Sequence, residues 1–196
     1  MKKFELYVAD LESTGLSELH DIIEISLHRL STNEQKTWFI KPMNFSNIEQ
    51  DALRVNGHKV EDLQGLTEFG KKTYTEPTKV AAEVENWVLE DMHTAEERLL
   101  VGQNIIGFDK GMLIAFWKRC HAEQTFPFSK RFALDTMQIQ VLLDIIKDDD
   151  YCENYSLKTL VEKYGVKREK AHRSENDVKM TKDVFIKQIE LLKNKC

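Results

Sequence analysis

Four acidic residues and one histidine stand in settings that suit hydrolysis at a phosphate. Asp10 and Glu12 lie at the end of an apolar run in V-A-D-L-E-S-T-G. Asp109 closes G-Q-N-I-I-G-F-D, and His172 and Asp177 lie in H-R-S-E-N-D shortly before the C-terminus. Carboxylates gathered from distant segments can hold two divalent cations, and a histidine that titrates near neutrality can take a proton from water. The chemistry this set could perform is metal-dependent cleavage of a phosphodiester.

Each member also has a plainer explanation. Asp10 and Glu12 are two apart, so on a strand they point to one side, the side of Phe4, Leu6 and Val8 that should face the core. A carboxylate pair there is costly unless a cation compensates it; alternatively the strand has ended and both groups are solvated, with Gly15 as the turn former. Asp109 near a helix start is favoured by the dipole alone. Phe108 beside it could stack on a base or simply anchor the core. His172 and Asp177 are five apart and would diverge by roughly 140° on one helix. To serve one centre, His172 must sit in the loop before a helix and Asp177 in that helix's first turns. Ser174 and Asp177 form an S-x-x-D capping pair, which supports the layout but could also be all that Asp177 does. Taken together, carboxylates at the end of the first strand, at a later strand-to-helix turn and on the last helix could converge on one edge of a central sheet.

The elements that must deliver them can be read from periodicity. Residues 4–10 and 22–30 alternate as strands, and 36–41 form a third short strand before Pro42; short connections favour an antiparallel meander. Residues 77–93 change to a helical stripe of Val80, Val84, Trp87 and Val88 opened by Pro77. A strand over 98–103, a helix over 107–119, a strand near 131–134 and a helix from Asp135 to about Ile146 follow. Asp148-Asp149-Asp150 reads as a solvated turn, then helices around 156–164 and 174–193. Strands first, then alternation, predicts an α/β fold with a mixed sheet and helices on its faces, in a single domain over 1–196.

Composition narrows the classes. With 41% hydrophobic and 31% charged residues the chain is ordinary for a soluble globular protein, and a net charge of −5 argues against a nucleic-acid coat more than against an enzyme. Cys120, Cys152 and Cys196 form neither a C-x-x-C pair nor a disulfide framework, which predicts a reducing, cytoplasmic setting. No stretch approaches the ~20 apolar residues of a membrane span, and the first residues do not read as a signal peptide.

Three ordered motifs carry a resemblance. D-x-E-x-T-G reads Asp10-Leu11-Glu12-Ser13-Thr14-Gly15, N-x-x-x-F-D runs from Asn104 to Phe108-Asp109, and H-x-x-x-x-D from His172 to Asp177. Weaker landmarks are Ile22-Ile23-Glu24-Ile25, Val55-Asn56-Gly57, Asp135-Thr136 and Ser156 to Leu160. The chain resembles the DEDDh branch of the DnaQ-like 3′–5′ exonucleases, the family of polymerase proofreading subunits, oligoribonuclease and ribonuclease T. That resemblance implies an RNase H-like fold, a five-stranded mixed sheet flanked by helices. It implies two divalent cations, Mg²⁺ or Mn²⁺, and release of nucleoside 5′-monophosphates from 3′ ends of single-stranded DNA, favoured here, or RNA. Asp10, Glu12, Asp109 and Asp177 would be the metal ligands and His172 the general base. The backbone around Thr14, with Leu16, Asn56, Asn104 and Phe108, would hold the terminal nucleotide. Gln103 stands where the family often has histidine before the asparagine, and Asn56 where proofreading members often place one. A polymerase or replication complex is the partner that such membership suggests. The alternatives are an RNA-directed enzyme of the same fold, an endonuclease of the RNase H kind, and a nucleic-acid-binding module without activity. The basic cluster Lys163, Lys167, Arg168, Lys170 and Arg173 could track phosphates toward the site or be an ordinary solvated loop.

Overall fold

The computed structural model describes residues 4–120, 126–147, 152, 154–169 and 173–194; His172, Lys170 and the acidic run 148–150 lie outside the described residues. The strands are β1 (Glu5–Ser13), β2 (Ile22–Arg29), β3 (Glu34–Phe39), β4 (Arg98–Gly102) and β5 (Ala133–Asp135). The helices are α1 (Gln50–Asn56), α2 (Val60–Leu63), α3 (Glu68–Thr73), α4 (Pro77–Leu89), α5 (Asp109–Cys120), α6 (Thr136–Lys147), α7 (Leu157–Tyr164) and α8 (Ser174–Lys193). The sheet order is β3-β2-β1-β4-β5, with β1, β2 and β3 antiparallel and β1, β4 and β5 parallel. The meander and the two parallel crossovers match the mixed sheet expected from the order of periods.

β1 is the central strand, and both of its faces are covered. Tyr7, Ala9 and Leu11 join the largest core with Val80, Val84, Trp87 and Val88 of α4 and Met112, Leu113, Phe116 and Trp117 of α5. Leu6 and Val8 point the other way, to a smaller cluster with Val101, Val178 and Phe185 under α8. The row shared by Asp10 and Glu12 is therefore not the main core face, as the alternation suggested. It is the α8 face, and Phe4 at its start is exposed. The alternation alone cannot rank two buried faces, because a central strand in a three-layer fold has no solvent side.

β1 runs on to Ser13, so Asp10 and Glu12 belong to the strand and not to a loop beyond it. In the antiparallel ladder Asp10 faces Ser26 and Glu12 faces Glu24, and the register slips between Glu12 and Ser13. Bulges of this kind bend a strand and re-aim side chains, here at the last carboxylate of the row. Between β3 and α4 lie α1, α2 and α3, which periodicity did not predict; Leu53, Leu63 and Tyr74 from this stretch pack against Ile23. Among the described residues no helix is long and apolar enough to cross a membrane.

Candidate active site

Three carboxylates meet where the α8 face of the sheet ends. The ligand oxygens of Asp10, Glu12 and Asp177 all lie within 4.8 Å of one another. Asp10 and Glu12 arrive from consecutive inward positions of β1. Asp177 arrives from the first turn of α8, where its N–H donates to Arg173 O at 3.0 Å. The S-x-x-D capping pair does not form: Arg173 occupies the N-cap, and the Ser174 hydroxyl bonds Glu24 instead, at 2.6 Å.

Asp109 opens α5, is buried at 6% exposure, and is close enough to Asp10 to act on its charge. The turn before it is clamped by Asp135, which accepts from Asn104 N at 3.2 Å, Ile106 N at 3.2 Å and Met137 N at 3.0 Å. Asn104 holds φ 57, a left-handed conformation that asparagine tolerates better than most residues. The backbone of Asn104, which the sequence marks as a contact for substrate, makes the turn that leads into Phe108 and Asp109, and its side chain is exposed.

The electrostatics are those of anions crowded together at a partly buried site. Burial, then Asp109, Asp177, Glu12 and Glu24, push the Asp10 carboxyl well above the usual carboxylate range. Burial followed by Glu24, Asp177 and Asp109 raises Glu12 from 4.5 to about 8, against a smaller pull from Arg173. Burial raises Asp109 from 3.8 to about 7, although hydrogen bonds from its own N–H and that of Leu11 oppose it. A second acidic group, Glu5 with Asp91 and His93, lies at the other end of the sheet. It already has its cation: Arg98 binds Asp91 through Nε at 2.9 Å and Nη2 at 2.7 Å. The charges that act most on Asp10 are all carboxylates. Among the described residues the donor set is one of carboxylate oxygens, which fits hard divalent cations such as Mg²⁺ or Mn²⁺.

A pH test follows from these shifts. Glu12 and Asp109 bind protons in the fold that the unfolded chain releases, so the metal-free protein loses stability as pH rises from about 4.5 towards 8. Divalent cations compete with those protons and stabilise more as the carboxylates ionise. The melting temperature in EDTA should fall between pH 5 and 8.5, while the increment given by Mg²⁺ or Mn²⁺ grows. An increment independent of pH would contradict the shifts.

Two cavities adjoin the carboxylates. One of about 250 Å³ is walled by Glu12, Leu16, Val55, Asn56 and Phe108. The other, of about 260 Å³, is walled by Asp177, Lys158, Val161, Arg168 and Met180. Leu16 stands exposed at the rim of the first, and Phe108 is half-buried. Asn56 contributes wall rather than a free amide, since its Nδ2 donates to Ser13 O at 3.1 Å and its Oδ1 accepts from His58 N at 3.2 Å. Thr14 is fully buried, and its N–H, C=O and hydroxyl bond Asp21 O, Glu49 N and Asp21 N. Gln103 is half-buried, donating to Tyr155 O and accepting from Thr136.

The basic cluster divides. Lys163 pairs with buried Asp144 at 3.1 Å, and Arg173 lies 3.7 Å from Glu24. Lys167 is exposed beside Glu169, and Arg168 lines the cavity at Asp177.

A family model described as Exonuclease, of the RNase T group, matches residues 7–185. Exonuclease I of E. coli in complex with a dT13 oligonucleotide superposes with a TM-score of 0.69 at 15% identity, covering 95% of this chain and 41% of that one. The zinc-bound exonuclease I–ssDNA complex from E. coli gives 0.71 at 16% identity, over 98% and 42%. Exonuclease I from Methylocaldum szegediense gives 0.68 at 16% identity, over 95% and 40%. The chain thus spans about two fifths of the length of these structures, and at such identities the likeness speaks for the RNase H-like fold. No curated protein matches the chain.

Proposed function

The chain belongs to the RNase T exonuclease family, of the DEDDh type, and from that membership we propose that it removes nucleoside 5′-monophosphates from the 3′ end of single-stranded nucleic acid, DNA in preference. The observation that carries this reading is the meeting of Asp10, Glu12 and Asp177 within 4.8 Å, with Asp109 alongside and an open cavity on Glu12. The preference for DNA is drawn from exonuclease I, whose solved complexes hold a dT13 oligonucleotide and ssDNA.

Asp10, Glu12, Asp109 and Asp177 would hold two divalent cations. Bound there, the pair would supply charge neutralisation and Lewis-acid activation at the scissile phosphate. The remaining work falls to the chain. Leu16 and Phe108 at the cavity beside Glu12 would grip the terminal base and fix the phosphate against the carboxylates. His172, one residue before the N-cap of α8, would take the proton of the attacking water. Arg168 and Lys167 would draw the strand in; reversing both charges should raise KM and flatten its salt dependence.

The test is digestion of a 3′-labelled single-stranded DNA, the same DNA in duplex and a short RNA, each with Mg²⁺, Mn²⁺ or EDTA. Labelled mononucleotide from single-stranded DNA at the earliest times, abolished by EDTA, is the expected result. Internal fragments would replace the reading with an endonuclease. Faster loss of RNA would reverse the substrate assignment, and no cleavage with either metal would leave a binding module.

A further inference from the structure

We propose that Glu24 is a positioning residue for the carboxylate centre: it fixes the first turn of α8 to β2 and so sets Asp177 against Asp10 and Glu12. The inference deepens the proposed exonuclease function and rests on it.

Glu24 is an acid in the middle of an apolar strand and is 1% exposed. Such a group is stable only if its oxygens are well bonded. Its Oε1 accepts from Ser174 N at 3.0 Å and from Ser174 Oγ at 2.6 Å; the same hydroxyl lies 2.7 Å from Ser26 Oγ. Its Oε2 pairs with His58 Nε2 at 3.0 Å, and the Arg173 guanidinium is 3.7 Å away. His58 is backed by Tyr74, whose hydroxyl lies 2.5 Å from Nδ1. With Nε2 protonated towards Glu24, Nδ1 accepts from that hydroxyl, so both ring nitrogens are used.

These bonds join segments with no local reason to meet, since Ser174 and Glu24 are 150 residues apart. The helix has no side-chain cap of its own, because Arg173 at the N-cap provides none. Glu24 takes that place from across the sheet, its negative charge set at the positive end of α8. One helical turn on is Asp177. The same carboxylate sits opposite Glu12 in the β1–β2 ladder, so a single buried group fixes the relation between Glu12 on the strand and Asp177 on the helix.

The test compares Glu24→Gln and Ser174→Ala with the unaltered protein. Glutamine removes the negative charge from the start of α8 and turns an N–H₂ towards the Arg173 guanidinium, setting donor against donor. Ser174→Ala keeps the N–H bond, loses the hydroxyl and does not disturb helix propensity. Mn²⁺ affinity is read by titration of the substrate-free protein, kcat and KM on a 3′-fluorescent single-stranded oligonucleotide, and folding by thermal melting. For Glu24→Gln, Mn²⁺ affinity and kcat should each fall roughly 10–100-fold, the range for outer partners of metal ligands, with KM nearly unchanged. Ser174→Ala should show the same pattern at about tenfold or less, the loss of one hydrogen bond. If Glu24→Gln does not fold, Ser174→Ala alone decides. A lowered melting temperature with unaltered Mn²⁺ affinity and kcat would mean Glu24 only stabilises the fold, and the proposal is overturned. Failure of the unaltered protein to bind Mn²⁺ and shorten the oligonucleotide would remove the exonuclease reading itself, a separate result.

Discussion

Asp10→Ala should yield a folded protein that no longer binds Mn²⁺ and no longer shortens a single-stranded oligonucleotide, a loss of roughly 10³-fold or more for an interaction worth several kcal/mol at the phosphate. Asp10 is singled out by position. It is the carboxylate on which Asp109, Asp177, Glu12 and Glu24 all act, so it stands at the centre of the group. Folding should not suffer. The metal-free site crowds like charges, and removing the central one relieves burial and repulsion together. Asp10→Ala should therefore melt at or above the temperature of the unaltered protein in EDTA, and below it once Mn²⁺ is added. Retained cleavage with Mn²⁺ would take Asp10 out of the centre. A collapsed melting temperature in EDTA would instead show that the side chain is needed for packing.

His172→Ala should separate proton transfer from metal binding. Turnover is expected to fall about 10²–10⁴-fold, the usual contribution of a positioned base, with Mn²⁺ affinity nearly unchanged. A base lost by mutation can be replaced from solution, so imidazole in the buffer should restore part of the rate. The loss should also shrink as pH rises and hydroxide takes over. Turnover equal to that of the unaltered protein would exclude His172 from the reaction. A matching loss of Mn²⁺ affinity would make it a ligand rather than a base.

Strong periodicity made much of the architecture readable. The alternation in β1 and β2, the stripe of Val80, Val84, Trp87 and Val88, and the long amphipathic α8 appear within a residue or a few of where the pattern put them. Helices α1, α2 and α3 were not readable, having seven, four and six residues, too few for a 3.6-residue repeat to recur. They are held by contacts of Leu53, Leu63 and Tyr74 with Ile23, which no local window contains. In the site, the carboxylates could be listed from motif and parity, because Asp10, Glu12 and Asp109 follow apolar runs and Asp177 stands five residues after His172. Their supports could not. Ser174 reads as a cap for its own helix yet bonds Glu24, and Asn56, read as a contact for substrate, is held in the cavity wall by Ser13 and His58. The available sign was a polar residue inside an apolar strand, Glu24 in I-I-E-I, whose cost demands partners without saying where they lie.

That β1 serves two cores at once makes its length a matter of odd and even. Tyr7, Ala9 and Leu11 belong to one face and Asp10 and Glu12 to the other, so the chain between Glu5 and Asp10 can be recoloured residue for residue but not shortened by one. A single deletion there would turn both acids into the apolar interior beneath α4 and α5 and carry Leu11 to the α8 side. Deleting two would restore the facing while sliding the strand past its neighbours. Natural variation in this segment is therefore expected as substitution within each face, with gaps confined to the turn that follows Ser13.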